Sequence, residues 1–223
     1  MHLAVLGTGM VGQAIAARLA GLGHCVVVGT RDPEATMART DPEGSAPFAD
    51  WMRAVPDVGL ATFADAAAGA ELVVNATSGA TALDVLALAG AENLAGKTLL
   101  DLTNPLDFSA GFPPTLLVDS TDSLAEQIQR RFPETSVVKA LNTLTAELMA
   151  DPGLLGAGGT VFVSGDDAAA KAEVVALLES FGHDDVLDLG PLETARGTEH
   201  LLPLWLRLMG ALGTARFNVK VVR

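Results

Sequence analysis

Short apolar runs alternate with amphipathic or alanine-rich segments along most of the chain. Leu3-Ala4-Val5 reads as a first strand. A segment from about Val11 to Leu22 follows, with Ile15 and Leu19 at helical spacing on one side and Gly21-Leu22-Gly23 as its stop. His24 to Gly29 predicts a second strand. Residues 32–57 are polar and carry Pro33, Pro42, Pro47 and Pro56, which predicts a surface excursion holding short helices such as Phe48 to Arg53. Beyond it come a short helix from Thr62 to Gly69, a buried strand from Glu71 to Thr77 and a helix from Gly79 to Ala89. A strand over Lys97 to Leu102, an amphipathic helix over Ser123 to Arg131 and a strand over Ser136 to Leu141 continue the rhythm. After the glycine-rich stretch 156–159, Thr160 to Gly165 predicts a strand, Asp166 to Phe181 a helix and Asp185 to Leu189 a last strand. Leu192 to Arg223, periodic in Leu, Met and Trp, predicts a largely helical tail.

This succession of strand, helix and strand predicts an α/β fold, a doubly wound Rossmann-type parallel sheet with a short C-terminal helical extension. The expected division is 1–190 for the nucleotide-binding domain and 191–223 for a helical segment that completes the cleft or forms a dimer interface.

Composition narrows the function classes. Of 223 residues 49% are apolar but only 4% aromatic, with no tyrosine, so the core must be built from Ala, Val and Leu. Leu83 to Ala91 is broken by Asp84 and closed by Glu92, well short of the roughly twenty apolar residues that span a bilayer. A soluble protein with no membrane partner is expected. The net charge of −13 argues against a nucleic-acid partner, which would need a basic surface. The single cysteine, Cys25, excludes an internal disulfide framework and is expected to be a buried, inert thiol. No Cys/His cluster has zinc spacing, so no metal is expected. The first strand runs straight into glycines rather than into a long apolar segment, and cytoplasmic residence is the expectation.

The chemistry starts where the first strand ends. Gly7-Thr8-Gly9-Met10-Val11-Gly12 spells G-x-G-x-x-G between a strand and a helix. Gly7 permits the tight turn, Gly9 lets backbone amides approach a pyrophosphate, and Gly12 lets helix and strand pack closely. The second strand ends at Thr30-Arg31, where a fold that prefers NAD places an acid for the ribose 2′-hydroxyl. A guanidinium offers a charged planar fork to phosphate oxygens, so NADP(H) is favoured over NAD(H). Ligands of such sheets lie at the carboxyl ends of strands. Asn75, Ala76, Thr77 and Ser78 are placed there, and two later strand ends also carry Asn, at Asn104-Pro105 and at Asn142-Thr143. For each alone, capping of the next helix or turn is an equal explanation, but together they favour a site.

With these motifs, and with Phe162-Val163-Ser164-Gly165-Asp166-Asp167, Gly190-Pro191-Leu192-Glu193-Thr194-Ala195-Arg196 and Leu202-Pro203-Leu204, the chain resembles the NADP-dependent reductases of coenzyme F420, a deazaflavin, almost end to end. The resemblance implies hydride transfer between nicotinamide C4 and deazaflavin C5, with F420 as co-substrate. It implies that Thr8, Gly9, Met10 and Val11 hold the pyrophosphate, Thr30 and Arg31 the 2′-phosphate, and Asn75 to Ser78 the nicotinamide half. Asn104, Pro105 and Leu106, with Asn142, Thr143 and Leu144, would border the second ring system. It also implies a homodimer, with the Leu/Trp-rich tail as interface. The chain departs from the family pattern at Asn142, where members carry His, and at Glu34 and Ala35, where some carry another basic residue.

Transfer between two redox rings needs positioning more than acid–base help, so no general acid or base is nominated. His2 and His24 border strands, His183 follows a helix, and His200 is assigned to a surface or interface. Two other classes fit the same residues: an NADPH-dependent reductase of a flavin, quinone or metal chelate, and a nucleotide-binding sensor without turnover.

Overall fold

The structure is a computed structural model describing residues 1–40 and 47–223. Residues 41–46, which carry Pro42 of the expected excursion, lie outside the described residues.

In chain order the elements are β1 (His2–Leu6), α1 (Met10–Gly21), β2 (Cys25–Thr30), α2 (Pro33–Ala38), α3 (Phe48–Ala54), β3 (Val58–Thr62), α4 (Phe63–Ala68), β4 (Leu72–Asn75), α5 (Ala82–Ala89), α6 (Ala91–Leu94) and β5 (Thr98–Asp101). There follow β6 (Leu106–Asp107), β7 (Thr115–Leu116), α7 (Leu124–Arg131), β8 (Ser136–Ala140), α8 (Ala146–Ala150), β9 (Val161–Gly165), α9 (Ala168–Phe181), β10 (Val186–Gly190), α10 (Ala195–His200) and α11 (Leu202–Leu212). Eight strands form one sheet in the order β10-β9-β8-β5-β4-β1-β2-β3. The chain starts in the middle of the sheet and winds outward in both directions, as expected for a Rossmann-type fold.

Side-chain alternation explains the two packed faces. Leu3 and Val5 of β1 join Ile15 and Leu19 of α1, Phe48 of α3 and Val174 and Phe181 of α9 on one side. Ala4 and Leu6 point the other way, into a cluster with Phe63 of α4, Leu86 of α5 and Ile128 of α7. The central strands are buried on both faces, which is why they read as unbroken apolar runs.

Four expectations are corrected. The excursion ends in a strand, β3, which pairs parallel with β2 and was hidden because Val58-Gly59-Leu60-Ala61-Thr62 is short and glycine-interrupted. The sheet is not wholly parallel: β9 runs antiparallel to β8, so the chemistry-bearing strand ends belong to β1, β2, β4, β5 and β8. Cys25 is exposed, because it opens β2 at the amino edge of the sheet before the strand becomes covered. The tail is helical only to Leu212; it then returns across the sheet edge, with Thr160 N–H donating to the Val219 carbonyl at 2.8 Å and Asp185 pairing with Lys220 and Arg223. Among the described residues no helix is long and apolar enough to cross a membrane.

Candidate functional site

Gly7 sits at φ +121°, and a Cβ there would come within 2.6 Å of the Ala76 carbonyl oxygen. A Cβ on Gly12 would lie 2.1 Å from the Gly7 carbonyl oxygen. Both glycines are therefore demanded by the turn itself. Gly9 differs. It caps α1 without side-chain help, and a Cβ on it would meet nothing within 4 Å. The amino end of a twelve-residue helix thus faces open space with its first amides unspent by capping side chains, which is the geometry that receives a phosphate.

At the end of β2, Arg31 is exposed while Thr30 is only 7% exposed and its hydroxyl is shared with that of Thr36 at 2.7 Å. Asp32 spends its carboxylate capping α2, where Oδ1 accepts from Ala35 N–H at 2.9 Å. The basic residue missing at positions 34 and 35 has a counterpart one turn later: Arg39, on the C-cap of α2, donates through Nη1 to Thr8 Oγ1 at 3.4 Å. This residue was missed in the sequence. Its only signal is a basic residue at the end of a short helix whose geometry turns it back toward the glycine turn.

Beside the turn a cavity of about 650 Å³ opens over the carboxyl ends of β4, β5 and β8. Met10, Val11, Ala76, Thr77, Ser78, Asn104, Leu106, Asn142 and Leu144, all expected at the site, line it. The structure keeps Gly7, Thr8, Gly9, Gly12, Thr30 and Arg31 outside this cavity, on its nucleotide-turn side, and Asn75, Pro105 and Thr143 are not among its walls. Phe108, from the β6–β7 hairpin, and Leu202, Trp205 and Leu206, from α11 and its first turn, form further walls that the sequence did not assign to the site.

Asn104 and Asn142 are tied to each other. Asn142 Nδ2 donates to Asn104 Oδ1 at 2.9 Å and to the Thr198 carbonyl at 3.0 Å, and Asn104 Nδ2 donates to the Asn142 carbonyl at 2.8 Å. They staple two strand ends to α10 and have few free donors for a ligand.

Beneath the cavity floor lies a fully buried charge cluster. Strand register sets Asn75, Asp101 and Lys139 side by side across β4, β5 and β8. Lys139 Nζ reaches Asp101 Oδ2 at 2.7 Å, Glu199 Oε1 at 2.9 Å and the Thr103 carbonyl at 2.5 Å. Burial alone would push the ammonium down, but the two adjacent carboxylates outweigh it and hold its pKa above the ordinary lysine value. Glu199 also accepts from Leu124 and Ala125 N–H at the amino end of α7, at 2.7 and 3.1 Å. The cluster thereby ties α10 to the sheet and to α7, and Arg196 of α10 adds a two-pronged pair to Glu126 of α7 at 2.6 and 2.9 Å.

A doubly wound sheet, a glycine turn with an open helix end, and an apolar cavity over the strand ends are the features of the dinucleotide-binding fold class. The family model for coenzyme F420-dependent NADP oxidoreductases matches residues 2–105. The F420-dependent NADP reductase of Methanothermobacter marburgensis is 30% identical over 216 residues, 93% of this chain and 92% of that protein. A crystal structure from Arthrobacter sp. FB24, provisionally named an F420-dependent NADP-reductase, is 63% identical with a TM-score of 0.96 and covers 100% of both chains. Metalloreductase STEAP3 of Rattus norvegicus is 30% identical over 207 residues, 90% of this chain, although the chain spans only 37% of that protein's length. The chain belongs to the F420-dependent NADP reductase family, an NADP-linked oxidoreductase family.

Proposed function

We propose that the chain transfers a hydride between NADP(H) and the deazaflavin coenzyme F420. One observation carries this: an open helix amino end, two exposed arginines at the tip of β2 and α2, and an apolar cavity are contiguous around one glycine turn. Met10 and Val11 amides would meet the pyrophosphate, as would Thr8 and Gly9, while Gly7 and Gly12 shape the turn. Arg31, with Arg39 in support and Thr30 setting the local backbone, would take the 2′-phosphate. Ala76, Thr77 and Ser78 would hold the nicotinamide half, with Asn75 behind them. Asn104, Pro105, Leu106, Asn142, Thr143 and Leu144 would shape the acceptor side, with Phe108 and Trp205 closing it.

When bound, the two rings would supply the redox chemistry, exchange of a hydride between nicotinamide C4 and deazaflavin C5 with one proton taken up on the deazaflavin side. The protein contributes orientation and exclusion of water, which for paired rings can account for a large share of the barrier. The division at residue 190 then separates a nucleotide domain from a helical segment that walls the cavity. Exposed Leu204 and Leu212 of α11 suit a homodimer contact.

The test is spectroscopic. Mixing the protein with NADPH and F420 near neutral pH should bleach the deazaflavin absorbance, and NADP⁺ with reduced coenzyme should restore it. A second reading, reduction of a metal chelate, is favoured by the likeness to metalloreductase STEAP3. Turnover of a chelate with no bleaching of F420 would select it, and NADPH binding with no turnover of any acceptor would leave a sensor.

A further inference from the structure

The buried cluster sets two acids against one lysine, and its hydrogen bonds lead to the cavity. Every carboxylate oxygen in it already receives a donor. Asp101 Oδ1 accepts from Asn75 Nδ2 and from the Thr103 hydroxyl, both at 2.9 Å, and Oδ2 accepts from Lys139. Glu199 Oε1 accepts from Lys139 and Ala125 N–H, and Oε2 from Leu124 N–H. The set thus gathers one basic and two acidic side chains, none more than 1% exposed. Glu199 meets the amino end of α7 as well as Lys139, whereas beyond Lys139 the partners of Asp101 are the neutral groups of Asn75 and Thr103.

From Asp101 the polarity runs upward. Asn75 gives an amide hydrogen to Asp101, and its Oδ1 accepts the Thr77 hydroxyl at 2.8 Å. Thr103 likewise spends its hydroxyl hydrogen on Asp101. Thr77 and Thr103 both line the cavity, and with their hydroxyl hydrogens donated inward each hydroxyl has only lone pairs left to offer a ligand. Among the described lining residues there is no lysine or arginine to offset this, and the one acid, Glu147, pairs with Arg216 at 2.7 Å.

We propose that Asp101, acting through Asn75, Thr77 and Thr103, makes the cavity floor a negatively polarised, hydrogen-bond-accepting surface that binds a nicotinamide in its oxidised, cationic form more tightly than in its reduced, neutral form. The same floor accepts the carboxamide N–H groups of either form, which orients the ring, but only the oxidised ring carries a positive charge for the buried carboxylate to attract. Bound NADPH is thereby made a better hydride donor than free NADPH: as the hydride departs to the acceptor, the ring left behind becomes the favoured ligand. Asp101 is a positioning and electrostatic residue, since it touches no ligand. The inference rests on the nicotinamide half lying at the ends of β4 and β5.

The experiment is a pair of titrations, NADP⁺ and NADPH, against the full chain and two variants, with folding followed by circular dichroism. Asp101→Asn removes the charge and should shift the ratio of Kd for NADP⁺ to Kd for NADPH by about tenfold in favour of NADPH. Thr77→Val, at the cavity surface and outside the buried cluster, should shift the same ratio in the same direction by about threefold. It decides the matter alone if Asp101→Asn does not fold. A structural loss would weaken both nucleotides equally, so an unchanged ratio in the folded variants overturns the inference while leaving the nucleotide site standing. A wild-type chain that binds neither nucleotide overturns the site itself.

Discussion

The β1–α1 turn and the Asp101–Lys139–Glu199 cluster sit at the same carboxyl edge of one sheet, and they are built in opposite ways. The turn is main chain: two glycines demanded by close backbone approach, a third facing open space, and a helix end that no side chain caps. The cluster is side chain: a lysine and two acids from β5, β8 and α10, all shut away from solvent. A site made from exposed backbone can lose its ligand and keep its fold, because nothing packs on the surface that meets the ligand. A site supported by buried charges cannot be edited so cleanly, since each charge stands in for water that the others no longer see. Binding and stability should therefore separate at the first region and move together at the second.

The largest effect should come from Gly9→Val. The new Cβ meets no protein atom within 4 Å, and the side chain fills the expected pyrophosphate position before α1. NADPH and NADH binding should both fall below detection by calorimetry, while the thermal midpoint stays within a few degrees of wild type. Retained affinity would show that the helix end does not face the pyrophosphate.

Lys139→Met should do the reverse. It leaves two buried carboxylates without their cation, and loss of one partner from such a set costs about 3–5 kcal/mol of stability, read from urea unfolding. The pH dependence has a definite sign. Because the folded-state pKa of Lys139 is raised above 10.5, its contribution is fully present below that value and is lost as pH rises through the folded value. Wild type should thus lose this stabilisation only in strongly alkaline solution, and the variant should lack that transition. A variant as stable as wild type would mean that the cluster does not hold α10 to the sheet.

The same contrast explains what could be read from the sequence. The strands and the glycine turn were legible because their signals are local: apolar runs of four to six residues, and three glycines at fixed offsets. Of the wall residues, Thr77 followed from the rule about strand ends, Met10 from the glycine turn and Leu144 from the family resemblance. The cluster did not, because Lys139 meets Glu199 only through long-range packing, and a lysine inside Val137-Val138-Lys139-Ala140 gives no hint of its partner. A trace was available, since Asn75, Asp101 and Lys139 are each a polar residue near the end of an apolar strand, and strand register sets them in one row. Strand β3 escaped for the opposite reason: its pairing with β2 overrides a weak local pattern with a glycine in it. The apolar neighbours of Cys25 point to the interior, but burial along a strand begins only where a helix covers it.

The smallest effect belongs to the rim of the first region, where two arginines divide one task. Arg31→Ala should weaken NADPH by about 1.5–3 kcal/mol, the worth of a hydrogen bond to a charged group, and leave NADH nearly unchanged. Arg39→Ala should act in the same selective direction but by about 1 kcal/mol, because its hold on Thr8 is long at 3.4 Å and an exposed guanidinium is screened and mobile. Paired titrations with the two nucleotides separate the cases. If Arg39→Ala weakened both nucleotides alike, its work would lie in steadying the glycine turn through Thr8. If it weakened only NADPH, α2 would be delivering a cation to the ribose phosphate from a position that neither the fingerprint nor the residues just after β2 disclose.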